Sequence, residues 1–223
     1  MPKAKSISKL NAGREMRLAK SLSASDAIGD IVHGQDCFIL TFGQFSLVDA
    51  LVHILDKVGP SDVTIATWTA ADAHLERSAE LVASSAITGF RMIVDRSFEG
   101  RQPGYCRHMR ETFGDDCIRF ARSHAKFMLI RSATHDVVVR TSMNLNENPR
   151  LENIEVSESR EFADWFQSIA DAIFAEVEAG EKRSQMLGLD ESPDTSPYKQ
   201  VDAKHIPRES LNECETSHTI KTG

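Results

Sequence analysis

The chain has 223 residues, 41% of them hydrophobic, and carries 26 lysines and arginines against 33 aspartates and glutamates, a formal net charge of -7. That length and apolar content support a substantial core in one large domain or two small ones. The acidic balance excludes a coat of non-specific positive charge while leaving room for a local basic groove. No run of eighteen apolar residues occurs and the N-terminus lacks an apolar signal core, so a soluble, cytoplasmic protein without stable membrane association is expected.

In chain order, residues 1–20 hold Lys3, Lys5, Lys9, Arg14, Arg17 and Lys20 against Glu15 alone, and read as a basic N-terminal arm or short surface helix. Most such arms are merely solvated; contact with nucleic-acid phosphates is the functional alternative. From Asp36 strand-like and helix-like segments alternate. Cys37–Phe42 is a buried-strand run, Gly43 breaks it, and Ser46 is a good N-cap for a helix from Leu47 to Val58. Val63–Thr67 repeats the strand pattern, Thr69 or Asp72 opens an amphipathic helix through Leu75, Ala79 and Val82, and Phe90–Val94 is a third strand. The alternation predicts an α/β fold: a mixed, mostly parallel sheet flanked by helices, in a domain spanning residues 21–180.

The segment from Arg96 to Asp116 reads as a loop with one short helix around Tyr105 to Phe113. Its Arg101, Arg107 and Arg110 either face a site or form a solvated helix face. After a strand at Cys117–Phe120 and two further strands comes a helix from about Ser159 to Ala179. There Phe162, Phe166, Ile169, Ile173 and Val177 recur at helical spacing, with Trp165 and Phe174 broadening an apolar stripe that should pack on the sheet rather than stack on bases. Residues 181–223 lose all periodicity and read as a disordered tail. The cysteines Cys37, Cys106, Cys117 and Cys214 form no C-x-x-C pair and are expected as free thiols. Cys106, His108 and Cys117 fit no common zinc spacing, so neither metal nor cofactor is expected.

Chemistry concentrates between Ser123 and Val156. His124 and Lys126 lie two apart ahead of the apolar run Phe127–Ile130, and Ser142 and Asn144 lie two apart after Val137–Val139. Alternation along two adjacent strands would present each pair on one face, so that four polar groups converge. An imidazole, an ammonium, a hydroxyl and a carboxamide together suit a phosphate: the cation and amide hold its oxygens while the imidazole attacks or transfers a proton.

The ordered set Ser-His-Ala-Lys, Thr-Ser-Met-Asn and Leu-Glu-Asn resembles the signature of the phospholipase D superfamily, in which H-x-K precedes a strand, G-S-x-N closes the next and a Glu-Asn pair follows. Two positions depart from it. Arg131 stands where the family usually has an Asp after the Lys, and Thr141 replaces the Gly before the Ser. The resemblance implies that His124 is a nucleophile forming a phosphohistidine, that Lys126 and Asn144 hold phosphoryl oxygens, and that Ser142 adds a hydrogen bond. It further implies that Glu152 accepts the far ring N–H of His124 and supports its imidazolium. One copy of the motif is present, so a working site requires a homodimer in which two copies of His124 meet across a two-fold axis.

The expected function is therefore a metal-independent phosphodiesterase, a nuclease similar to the single-motif bacterial endonucleases, with DNA rather than RNA as partner. Two alternatives stand beside it: a catalytically silent module that binds DNA or a protein through the same pocket, and a phospholipase or phosphatidyltransferase.

Overall fold

The computed structural model describes residues 13–20, 23–146 and 149–180. Strands β1 (Gly13–Ala19), β2 (Gln35–Thr41), β3 (Ser61–Thr67), β4 (Ile87–Asp95), β5 (Ile118–Ala121), β6 (Phe127–Ser132), β7 (Asp136–Thr141) and β8 (Glu152–Glu158) form one sheet in the order β1-β2-β8-β7-β6-β3-β4-β5. The helices are α1 (Ala24–Ile28), α2 (Leu47–Val58), α3 (Asp72–Ala83), α4 (Phe98–Arg101), α5 (Pro103–Phe113) and α6 (Arg160–Glu176).

The helix-connected strands make the parallel ladders β1–β2, β3–β4 and β4–β5, because a crossover helix returns the chain to the end of the sheet from which the previous strand started. Among the described residues no helix intervenes from β5 onward until α6. The three strands β6, β7 and β8 pair antiparallel and wedge between β2 and β3. Among the described residues β6 and β8 thus run against the other strands, which makes the sheet mixed and mostly parallel in direction, an α/β fold.

Alternation along the strands sends residues to two cores. Val63, Ile65, Met128, Ile130, Val137, Val139, Ile154 and Val156 pack on the side covered by α1 to α5. Ala66, Phe127, Leu129 and Val138 face α6, whose small Ala163 and Ala170 let it sit close to the sheet. Helix α2 starts where the cap predicts: Ser46 Oγ accepts from Asp49 N at 3.1 Å, and the Asp49 carboxylate accepts from Ser46 N at 2.7 Å, a reciprocal capping box. Its buried Leu47, Leu51 and Ile54 each contribute about 2 kcal/mol of apolar burial, which fixes the helix against the sheet.

Three expectations change. Residues 13–19, expected within the basic arm, form the edge strand β1. Arg17 there is used internally, donating through Nη1 to the Ala27 and Ile28 carbonyls at the end of α1 (2.9 and 2.7 Å). The rest of that arm, residues 1–12, lies outside the described residues, as do the tail from 181 and Cys214. Trp165, expected in the core stripe, is 48% exposed, because α6 buries its Ala163–Ala170 stripe against the sheet and turns the indole outward against Phe166. The single short helix expected near Tyr105 is preceded by a further turn, α4.

Candidate active site

His124 and Lys126 precede β6, which begins at Phe127, while Ser142 and Asn144 follow β7, which ends at Thr141. All four lie just beyond the strands, so face alternation does not decide where they point. The antiparallel ladder does: Phe127 pairs with Arg140, and Thr141 N donates to Lys126 O at 3.2 Å, so the entry to β6 and the exit of β7 are neighbours. Strand β8 enters at the same end, with Thr141 opposite Ile154, and brings Glu152 alongside. The carboxyl ends of β2 and β3 reach this end too, through the pairs Thr41–Glu152 and Ala66–Phe127.

The exit of β7 is tightly tied. Ser142 N donates to Asn153 O (3.1 Å), Asn153 N to Ser142 Oγ (2.9 Å) and Thr141 Oγ1 to Asn153 O (2.7 Å), while Ser142 Oγ donates to Glu152 Oε2. Beyond it, Leu145 N donates to Thr69 O (3.2 Å) and Ala71 N to Leu145 O (3.0 Å), binding this segment to the loop after β3. Asn144 is half-buried, and its Oδ1 is buried without a hydrogen-bond partner. Amide oxygen and nitrogen exchange places on a ring-like flip of the group, so the position offers either an acceptor or a donor to an incoming ligand. Beside Asn144 and Glu152 opens a cleft of roughly 250 Å³, lined also by Gly43, Phe45, Ser46 and Met143. A larger hollow of roughly 740 Å³ lies at the opposite end of the sheet, and its Arg91 and Arg131 are already paired with aspartates.

On the other side of the site, His124 is exposed and Lys126 half-buried, with Lys126 Nζ 3.2 Å from His124 Nδ1 and 3.2 Å from the His124 carbonyl oxygen. Burial pushes the Lys126 ammonium below the usual lysine range, and the negative charge of Glu152 partly opposes this. Lys126 therefore senses both halves of the site electrostatically. The expected contact from Glu152 to His124 is not made. Glu152 takes its hydrogen bond from Ser142, and the ring nitrogen nearest a side chain faces Lys126 instead.

Arg131 is accounted for by the fold. It sits five residues beyond Lys126, roughly 16 Å along β6 at the usual rise, and bonds Asp136 through Nε (2.8 Å) and Asp164 through Nη2 (2.6 Å). Arg160 holds the other oxygen of Asp136 at 3.0 Å. Arg131, one of the two positions that depart from the resembled pattern, belongs to an ion-pair cluster at the far end of the strand.

Two residues join the site without any signal in the linear sequence. Trp68, one residue past β3, packs against His124 with ring centroids 5.4 Å apart, and Asp95, at the end of β4, accepts from Ser123 N at 3.2 Å. Only the pairing of β3 with β6 brings Trp68 here. Of the three arginines singled out, Arg101 lies over Trp68, Arg110 pairs with Asp115, and Arg107 is exposed. Among the described residues no group of three His, Cys, Asp or Glu side chains is arranged to hold a metal ion, and His108 is bonded to Asp72 at 3.0 Å. No helix of the described residues is long and apolar enough to cross a membrane.

No protein family description matches the chain, and no curated protein matches it. Among solved structures, it is similar to the crystal structure of a phospholipase D family member, Nuc from Salmonella typhimurium, with a TM-score of 0.44 and 13% sequence identity, over 60% of this chain and 91% of that one.

Proposed function

We propose that the chain is a phosphodiesterase with His124 as its nucleophile, and that it is a nuclease working as a homodimer without a metal. The observation that carries this reading is the meeting of His124 and Lys126 with Ser142, Asn144 and Glu152 at one end of a three-strand antiparallel ladder. Lys126 supplies a charge and Asn144 an amide to the non-bridging oxygens of a phosphodiester, and the exposed imidazole supplies the lone pair.

In the first step the lone pair of His124 Nε2 forms a bond to phosphorus while the bond from phosphorus to the leaving ester oxygen breaks. That oxygen takes a proton from the imidazolium of His124 of the partner subunit. Water then attacks the phosphohistidine, the P–N bond breaks with its electron pair returning to Nε2, and the proton from water passes to the partner's imidazole. Splitting the displacement in two removes the need for a metal-activated hydroxide. Ser142 and Glu152 tie the exit of β7 to Asn153 on β8 rather than touching the ring.

Plasmid and oligonucleotide cleavage in EDTA, by the wild type and by His124→Ala, tests the reading. Cleavage by the wild type alone supports it; activity abolished by EDTA and restored by magnesium overturns the histidine mechanism. Analytical ultracentrifugation should show a dimer at micromolar concentration, and a strictly monomeric, fully active protein would contradict the two-fold site. Binding of oligonucleotides without turnover would favour the silent-module reading, and cleavage confined to phosphatidyl substrates in vesicles a lipid-acting enzyme.

A further inference from the structure

We infer that Trp68, backed by Arg101, is a positioning residue for His124, holding the imidazole in the orientation from which it reaches phosphorus. The inference rests on the phosphodiesterase reading of the site.

His124 stands at an exposed strand entry, where an untethered ring would populate several rotamers, and ordering it at the moment of attack would raise the barrier. A closed circuit of contacts prevents this. The indole of Trp68 packs on the imidazole at 5.4 Å with the rings tilted by 53°. The Arg101 guanidinium carbon lies 3.7 Å from the centre of the Trp68 ring, and Arg101 Nη2 donates to the Trp68 carbonyl at 2.8 Å. Arg101 Nε donates to Ser97 Oγ at 3.0 Å, and Ser97 donates to Asp95 Oδ1 from Oγ and from its backbone N, the latter at 2.9 Å. Asp95, buried at 9% exposure, closes the circuit by accepting from Ser123 N through its other oxygen at 3.2 Å. The ring of His124 is held by Trp68 and the backbone of the preceding Ser123 by Asp95, and Arg101 and Ser97 link the two. Because Arg101 covers one face of the indole and His124 stands against it, Trp68 serves orientation rather than stacking on a nucleobase.

The test combines NMR of the His124 side chain in histidine-labelled full-length protein with steady-state kinetics on bis(p-nitrophenyl) phosphate, which has no nucleobase, and on an oligonucleotide. In Trp68→Ala the ring-current displacement of the His124 carbon-bound protons should vanish. kcat should fall about 10–100-fold on both substrates, while KM stays within about threefold. Trp68→Phe, which keeps an aromatic ring on the imidazole, should restore most of the loss, and its native far-UV circular dichroism guards against a folding defect. Trp68→Ala combined with Arg101→Ala should be no slower than Trp68→Ala alone, since the two act as one unit. His124 resonances unmoved by Trp68→Ala, or a loss confined to KM for the oligonucleotide, would overturn the inference. If the wild type cleaves no phosphodiester while the His124 resonances still respond, the orienting contact stands and the phosphodiesterase reading falls.

Discussion

Lys126 Nζ lies 3.2 Å from His124 Nδ1. An ammonium carries only donors, so a hydrogen bond between them leaves the ring proton on Nε2, the nitrogen that faces away from Lys126 and the attacking atom in the proposed reaction. A phosphate reverses the arrangement: its oxygens draw the ammonium off Nδ1, the ring proton can move there, and Nε2 gains a free lone pair. On the proposed reading, substrate binding and nucleophile activation would then be one event.

Phosphate or vanadate added to the protein should therefore move the His124 tautomer toward the Nδ1–H form. The ¹⁵N shifts of the labelled imidazole report this directly. A tautomer indifferent to saturating oxyanion would remove Lys126 from any role in activation.

His124→Ala should lower turnover about a thousandfold or more while oligonucleotide binding falls far less, because Lys126 and Asn144 still offer phosphate contacts. Glu152→Gln should cost less, roughly tenfold, since its contact is with Ser142 rather than with the ring. Single-turnover kinetics beside fluorescence-anisotropy binding separates the two quantities; equal losses in rate and binding would speak against a phosphohistidine.

Lys126 carries a stability cost that the site accepts. Burial lowers its folded-state pKa below the ordinary value of 10.5, so the unfolded chain holds its proton more tightly than the folded one. The cost is complete below the folded-state pKa, shrinks as pH rises from there toward 10.5, and is absent above it. Lys126→Met should therefore be inactive yet melt about 1–2 °C higher than the wild type at neutral pH, the small size reflecting solvent screening. The gap should close at alkaline pH in a series of calorimetric scans. A variant less stable than the wild type at pH 7 would mean that the stem of Lys126, not its charge, dominates.

Arg131→Asp, which introduces the residue typical of the resembled family, should not raise activity. It places a carboxylate directly across the ladder from the buried Asp136 and beside Asp164, and should cost about 3 kcal/mol, or about 6–10 °C in melting temperature. Asp136→Asn in the same chain should recover part of that loss. Enhanced cleavage by Arg131→Asp would show that this end of β6 takes part in the chemistry after all.

Much of this protein is written locally. Ser46 and Asp49 mark the start of α2 because both ends of a capping box lie within one turn, and the β-branched and apolar runs at Val63–Thr67 and Val137–Val139 become strands by their own preference. The pairing of β6 with β7 follows from the short connection between them, which is why the neighbourhood of His124, Lys126, Ser142 and Asn144 could be anticipated from spacing. Residue order determined which polar groups would be near one another, but not what each would touch. That Glu152 bonds Ser142, that Arg131 also reaches Asp164 on α6, and that Trp68 and Asp95 frame His124 depend on β8 pairing with β7, α6 packing on the sheet, β3 lying beside β6 and β4 beside β5. Those ladders join segments far apart in the chain, and their order is set by how the whole sheet buries its two faces, a sum over many side chains that no short stretch of sequence contains.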